Sequence, residues 1–141
     1  MTAMPFRCVL DESLPPTLAA ADGCCARALA RLDGLGDDRD RFALELLLRE
    51  ALTNAVRHAV RPAGADQMRC TIEAGPSSVR IIVDDEGVGF DWRTALETDA
   101  DPEADHGRGL TILKTYSSAL HFNDRGSIVT IVRELHPRRP A

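Results

Sequence analysis

A chain of 141 residues with a formal net charge of -5 fits one domain of ordinary size, with 44% apolar residues to fill a core without disulfide or metal staples. The negative balance argues against a general nucleic-acid or anionic-membrane surface. No apolar stretch approaches the roughly 20 residues of a membrane span, and Met1 to Leu10 has no signal-peptide h-region, so a cytoplasmic protein is expected. One Trp, one Tyr and four Phe leave the core to Leu, Ile, Val and Ala. Cys8, Cys24, Cys25 and Cys70 have no Cys-x-x-Cys spacing and read as buried or semi-buried reduced thiols. The basic tail from His136 to Ala141 reads as a frayed end.

Phe6 to Leu10 reads as a short strand, and Asp11 to Pro16 as a turn whose prolines open a helix from Thr17 to Leu32. Gly34, Gly36, Asp37 and Asp38 break that helix and start the next, Arg39 to Val60, which Pro62 to Gly64 end. Gln67 to Ala74 alternates Met68, Cys70 and Ile72 inward as a strand. The turn Gly75 to Ser78 leads to a second strand, Val79 to Asp84, where consecutive Ile81, Ile82 and Val83 suggest burial on both faces. Phe90 to His106 is polar, acidic and without clear period, a lid-like loop. A helix from Leu110 to Ser118 and a hairpin of Leu120 to Asn123 with Ser127 to Glu134 complete the order. Short turns make neighbouring strands antiparallel, so an α+β two-layer sandwich is expected, with a mixed, mostly antiparallel sheet and the helices on one face.

Three constellations carry chemistry. Glu50, Asn54 and His58 stand four residues apart in the second helix, and a drift of only about 40° per step puts them on one face beside Leu47, Ala51 and Ala55. Polar groups next to a core stripe need partners, and a ligand is one way to supply them. Asp85-Glu86-Gly87-Val88-Gly89 follows a buried strand. Its Asp suits an exocyclic amine, and its two glycines suit close backbone approach, although a plain turn has the same composition. Gly107-Arg108-Gly109-Leu110 opens a helix, where free N–H groups and the dipole favour an anion.

In this order the three resemble the N, G1 and G2 boxes of the GHKL superfamily of ATPases. The closer resemblance is to bacterial anti-sigma-factor serine kinases of the RsbW and SpoIIAB type. Those carry Glu-Ala-x-x-Asn-Ala-x-x-His, as in Glu50 to His58, Asp-x-Gly-x-Gly-Phe, as in Asp85 to Phe90, and Gly-x-Gly-Leu, as in Gly107 to Leu110. Gly126-Ser127-Ile128-Val129 resembles the closing Gly-Thr strand, with Ser in place of Thr. The likeness spans roughly 6–134 and implies a single ATP-binding kinase domain over 1–141 with the Bergerat, histidine-kinase-like fold.

By that resemblance Glu50 is the general base for a serine hydroxyl, and Asn54 holds Mg²⁺ through its carbonyl oxygen. Asp85 bonds the adenine amino group, Gly87 and Gly89 let the backbone approach the base, and Ser127 sits near the adenine end. Gly107, Arg108, Gly109 and Leu110 lie at the phosphates. His58 matches the pattern but gains no catalytic role and reads equally as a packed structural histidine. The resemblance implies ATP and Mg²⁺ as cofactors and an activity joining protein serine kinase to anti-sigma factor. Its substrate would be a STAS-domain anti-sigma-factor antagonist, and its other partner an alternative sigma factor or another regulator. Relatives of this type commonly form homodimers.

The acidic segment Asp91 to Asp105 has Arg93 as its one basic residue and no lysine, and Asp105-His106 stands where relatives often carry Arg or Gly. That motivates a second reading, a nucleotide-gated protein-binding module with little kinase activity. A third is a detached histidine-kinase catalytic domain, for which the chain offers no helical hairpin with an acceptor histidine.

Overall fold

The computed structural model describes residues 6–57, 64–98 and 108–137. Strand β1 (Arg7–Leu14) is followed by helices α1 (Leu18–Arg31) and α2 (Asp38–Arg57), then strands β2 (Met68–Ala74) and β3 (Ser78–Asp84). Helices α3 (Trp92–Thr98) and α4 (Arg108–Tyr116) precede β4 (Ala119–Phe122) and β5 (Ile128–Glu134). The sheet order is β1-β2-β3-β5-β4, and the sheet expected to be mostly antiparallel is antiparallel at every pairing.

Helices α1, α2 and α3 each begin where a side chain satisfies a free backbone N–H group. Thr17 is extended and its Oγ1 accepts from Ala20 N at 3.1 Å, capping α1. At the start of α2 the capping is reciprocal: Asp37 Oδ1 accepts from Asp40 N at 2.9 Å and Asp40 Oδ2 accepts from Asp37 N at 3.0 Å. The inward stripes follow the helical period: Ala21, Cys24, Cys25 and Ala28 on α1, and Ala43, Leu44, Leu47, Leu48, Ala51, Leu52 and Ala55 on α2.

On the sheet the period is two. Met68, Cys70, Ile72 and Ala74 of β2, Val79, Ile81 and Val83 of β3, and Val129 and Ile131 of β5 are buried under the helices. Ile82 is only half-buried, so β3 is covered on one face rather than on both. Its β-branched neighbours hid an ordinary alternation. The opposite face carries the cross-strand ion pairs Asp11–Arg69 (2.6 Å) and Glu73–Arg80 (2.8 Å), and the Arg80 guanidinium lies 4.0 Å from the Phe6 ring centre.

Two expectations about element boundaries change. The stretch read as a turn from Asp11 belongs to β1 as far as Leu14, because Asp11 pairs opposite Thr71 and Leu14 is buried opposite Met68. The polar run hid a strand whose inward positions are Leu10, Glu12 and Leu14, with Glu12 bridged to Arg27 of α1 at 2.6 Å. Within the lid-like segment, α3 forms because Asp91 caps it, its Oδ2 accepting from Thr94 Oγ1 at 2.7 Å and its Oδ1 from Thr94 N at 3.2 Å. The rest of that segment, 99–106, lies outside the described residues.

Cys24, Cys25 and Cys70 are buried thiols as expected, whereas Cys8, expected to be at least semi-buried, is exposed; none is paired in a disulfide. The hydrogen bond with Cys24 and burial push the Cys70 thiol up, as for an inert core cysteine. Among the described residues no helix is long and apolar enough to cross a membrane.

Candidate functional site

Helix α2 packs against α1, α4 and the inner face of the sheet at β3 and β5. Glu50 and Asn54 are both half-buried, at the margin of the buried stripe that includes Ala51 and Ala55. The four-residue spacing thus puts a carboxylate and a carboxamide on one flank of a helix held by the core. His58 lies outside the described residues.

Asp85 and Ser127 extend the inward alternation of β3 and β5. Asp84 pairs with Ile128, so the next residues, Asp85 and Ser127, stand opposite each other, and Asp85 N donates to Ser127 O at 3.0 Å. Both therefore follow Val83 and Val129 on the helix-covered face. Beyond Asp85 the chain reverses through two successive side-chain turns. Asp84 Oδ1 accepts from Glu86 N at 2.9 Å, and Asp85 Oδ1 accepts from Gly87 N at 2.7 Å, while Glu86 adopts φ of 56°.

The turn is held against the β4–β5 connection, backbone to backbone. Phe90 N donates to Arg125 O at 2.8 Å, and a Cβ on Gly89 would stand 1.8 Å from that same oxygen. Gly126 answers it, since a Cβ there would lie 2.5 Å from Phe90 O. Gly89 has φ of 92° and Gly126 of 77°, in the region that L side chains avoid. Close approach at Gly89 is thus to a protein carbonyl. Gly89→Ala should destabilise the fold by about 2–3 kcal/mol through clash and backbone strain together, measured by denaturant unfolding.

Aromatic rings reinforce the junction. Phe122 meets Phe90 edge-on at 5.6 Å and stacks with Trp92 at 5.5 Å, and Arg93 lies 4.3 Å above Trp92. Trp92 Nε1 also donates to Asp124 O at 3.4 Å.

Ser127 is 3% exposed, and its surroundings are specific. Asn123 Oδ1 accepts from the backbone N of Ser127 (2.8 Å) and of Ile128 (3.0 Å), while Asn123 Nδ2 donates to Ser127 Oγ at 2.9 Å. A guanidinium nitrogen of Arg125 is 3.4 Å from the same Oγ. Among the described residues nothing accepts the Ser127 hydroxyl hydrogen.

Arg108 begins α4, which Leu110 and Leu113 anchor in the core. Leu110 therefore seats the helix start from beneath. Gly107 and the side chain of Arg108 lie outside the described residues. The backbone N–H groups of the first turn, Gly109 among them, have no acceptor within the helix.

One polar centre was missed in the sequence. Asp40 is completely buried, and its carboxylate accepts from Arg133 Nε (3.2 Å) and a terminal guanidinium nitrogen (3.0 Å), from His136 N (2.7 Å) and from Asp37 N; His136 Nδ1 lies 2.9 Å away. Arg133 also donates to Tyr116 O at 2.7 Å, so one guanidinium ties β5 to the start of α2 and the end of α4. Burial alone would push the Asp40 carboxyl up. The donors of His136, Asp37 and Arg133 outweigh it and hold the group well below the usual carboxylate range. Asp37, Asp40 and His136 bring ligand atoms within 4.8 Å of one another, yet Arg133 already supplies the positive charge there. The spacing Asp37-x-x-Asp40 before an apolar run was the available signal for the cap. Nothing local pointed to Arg133, which lies 93 residues away.

A search of curated proteins finds no match to the chain. Residues 12–133 match the family model of the histidine kinase-like ATPase domain.

Proposed function

The chain belongs to the histidine kinase-like ATPase domain family, and with it to the GHKL superfamily; from that premise we propose that it is a Mg-ATP-dependent protein serine kinase that doubles as an anti-sigma factor. The observation that carries the nucleotide site is the strand-end pair of Asp85 and Ser127, facing the layer that contains Glu50 and Asn54. The buried Ser127 hydroxyl with its unmet hydrogen fits a ligand rather than a closed core. The side-chain carbonyl of Asn54 is the hard oxygen donor that Mg²⁺ prefers, and the start of α4 suits phosphate.

In this reading Asp85 accepts from the adenine amino group. Asn54 holds the metal, and the first-turn amides of α4 with Arg108 meet the phosphates. Bound Mg-ATP supplies the transferable phosphoryl group and the charge that neutralises it. Glu50 orients the attacking serine hydroxyl and holds its proton at a carboxylate oxygen. The protein substrate is a serine on a STAS-domain antagonist, and a sigma factor or other regulator competes for the same surface, so that nucleotide state biases partner choice. A homodimer and a cytoplasmic location belong to the same proposal.

Incubation with Mg-ATP and a cognate STAS-domain protein, read by mass spectrometry, should give one phosphoserine on the latter, abolished by EDTA. ATP binding without any transfer would replace the kinase with a nucleotide-gated binding module, the reading that the acidic 91–105 segment favours. Transfer to a histidine of a separate protein would identify a histidine-kinase catalytic domain instead.

A further inference from the structure

The side-chain amide of Asn123 is oriented by its neighbours. Two backbone N–H groups, of Ser127 and Ile128, point at one of its atoms, which must be the oxygen. The other end is then the NH₂ group, and it is aimed at Ser127 Oγ. The turn requires only the oxygen; the contact with the hydroxyl is additional.

That contact fixes the polarity of Ser127. A serine hydroxyl has two lone pairs and one hydrogen. The Asn123 amide occupies one lone pair, and the Arg125 guanidinium faces the other at 3.4 Å. The hydroxyl is left to act as a donor, and at 3% exposure water is a poor acceptor for it. Directly across the strand pair stands Asp85, a carboxylate. The two strand ends thus present a donor beside an acceptor. A 6-aminopurine offers the complement, an amino donor next to a ring-nitrogen acceptor. A 6-oxopurine offers the reverse, an oxygen acceptor next to a ring N–H, and would set like against like at both contacts.

We propose that Asn123 is a positioning residue for base selectivity: by locking Ser127 as a hydrogen-bond donor it makes the Asp85–Ser127 pair choose a 6-aminopurine over a 6-oxopurine nucleotide. This rests on the reading of that strand end as the base site.

The test is titration calorimetry with ADP and with GDP on the full chain, with circular dichroism melts to confirm folding. The wild type should prefer ADP by at least about 100-fold, since two mismatched polar contacts are each worth on the order of a tenfold change. In Asn123→Asp the new carboxylate keeps both backbone bonds but accepts from Ser127 instead of donating to it. ADP affinity should fall about five- to tenfold and the ADP/GDP ratio should shrink. Ser127→Ala should shrink the ratio to the same degree, and the double variant should be no worse than Ser127→Ala alone, because Asn123 acts through that hydroxyl. A folded Asn123→Asp with the wild-type ratio, or additive losses in the double variant, would overturn the role of Asn123 and leave the base site standing. A wild type that binds neither nucleotide would overturn both.

Discussion

Asp40→Ala should destabilise the protein by about 3–5 kcal/mol, the cost of removing one partner from a buried ion pair. The carboxylate is the common acceptor for Asp37 N, His136 N and the Arg133 guanidinium, whose side chain is only 15% exposed. Alanine leaves a nearly buried cation and two N–H groups without their acceptor. It also removes half of the reciprocal cap of α2. Thermal melting at neutral pH should fall by on the order of 10 °C or more. Pairing Asp40→Leu with Arg133→Met should recover much of the loss, because the desolvated charges leave together.

The same carboxyl sets an acid limit. Its folded value lies below its unfolded one, so near pH 4 the unfolded chain binds more protons than the folded chain. The stabilisation is fully present above the unfolded value of about 4 and is lost as pH falls toward the folded value. Denaturant midpoints measured from pH 6 to pH 3 should decline below about pH 4 in the wild type and decline less steeply in Asp40→Ala. Equal slopes would place the acid sensitivity elsewhere.

Glu50→Gln should lower the rate of the proposed serine phosphorylation by about 10²–10⁴-fold, the usual contribution of a positioned general base. The amide has the same shape and reach but cannot take the hydroxyl proton. Glu50 sits on the half-buried flank of α2, one helical turn before Asn54, so the substitution should leave packing nearly unchanged. Single-turnover phosphoserine formation, compared with ADP affinity in the same variant, separates chemistry from binding. A rate within a few fold of wild type would remove Glu50 from the proton transfer, and a parallel collapse of ADP affinity would assign it to the ligand pocket instead.

Sequence was a good guide where the governing interactions are local. The α2 face of Glu50 and Asn54 follows from a period of 3.6, and the buried series Met68, Cys70 and Ile72 from a period of two. It was a poorer guide where a strand borrows its character from a partner. Asp11 to Leu14 has the composition of a turn and becomes strand because Arg69, Thr71 and Met68 lie opposite. Ile82 is β-branched among β-branched neighbours, and only the placement of the helices on one face decides that it stays half-exposed. Helix α3 was hidden for a further reason: its anchor is the stack of Trp92 on Phe122, 30 residues downstream.

The sequence by itself determined the motif order, the polar flank of α2, the glycine-bearing turn after β3 and the family to which these point. Those depend on residue type at fixed short spacing, which the chain carries in one dimension. Only the tertiary structure decided that Asp85 and Ser127 face each other, that the Asn123 amide donates to that serine, that Gly89 and Gly126 are each needed by the other's loop, and that Asp40 and Arg133 clamp three elements together. The physical reason is common to all four. Strand register and the buried electrostatics between distant residues exist only after the sheet has paired and the helices have closed over it.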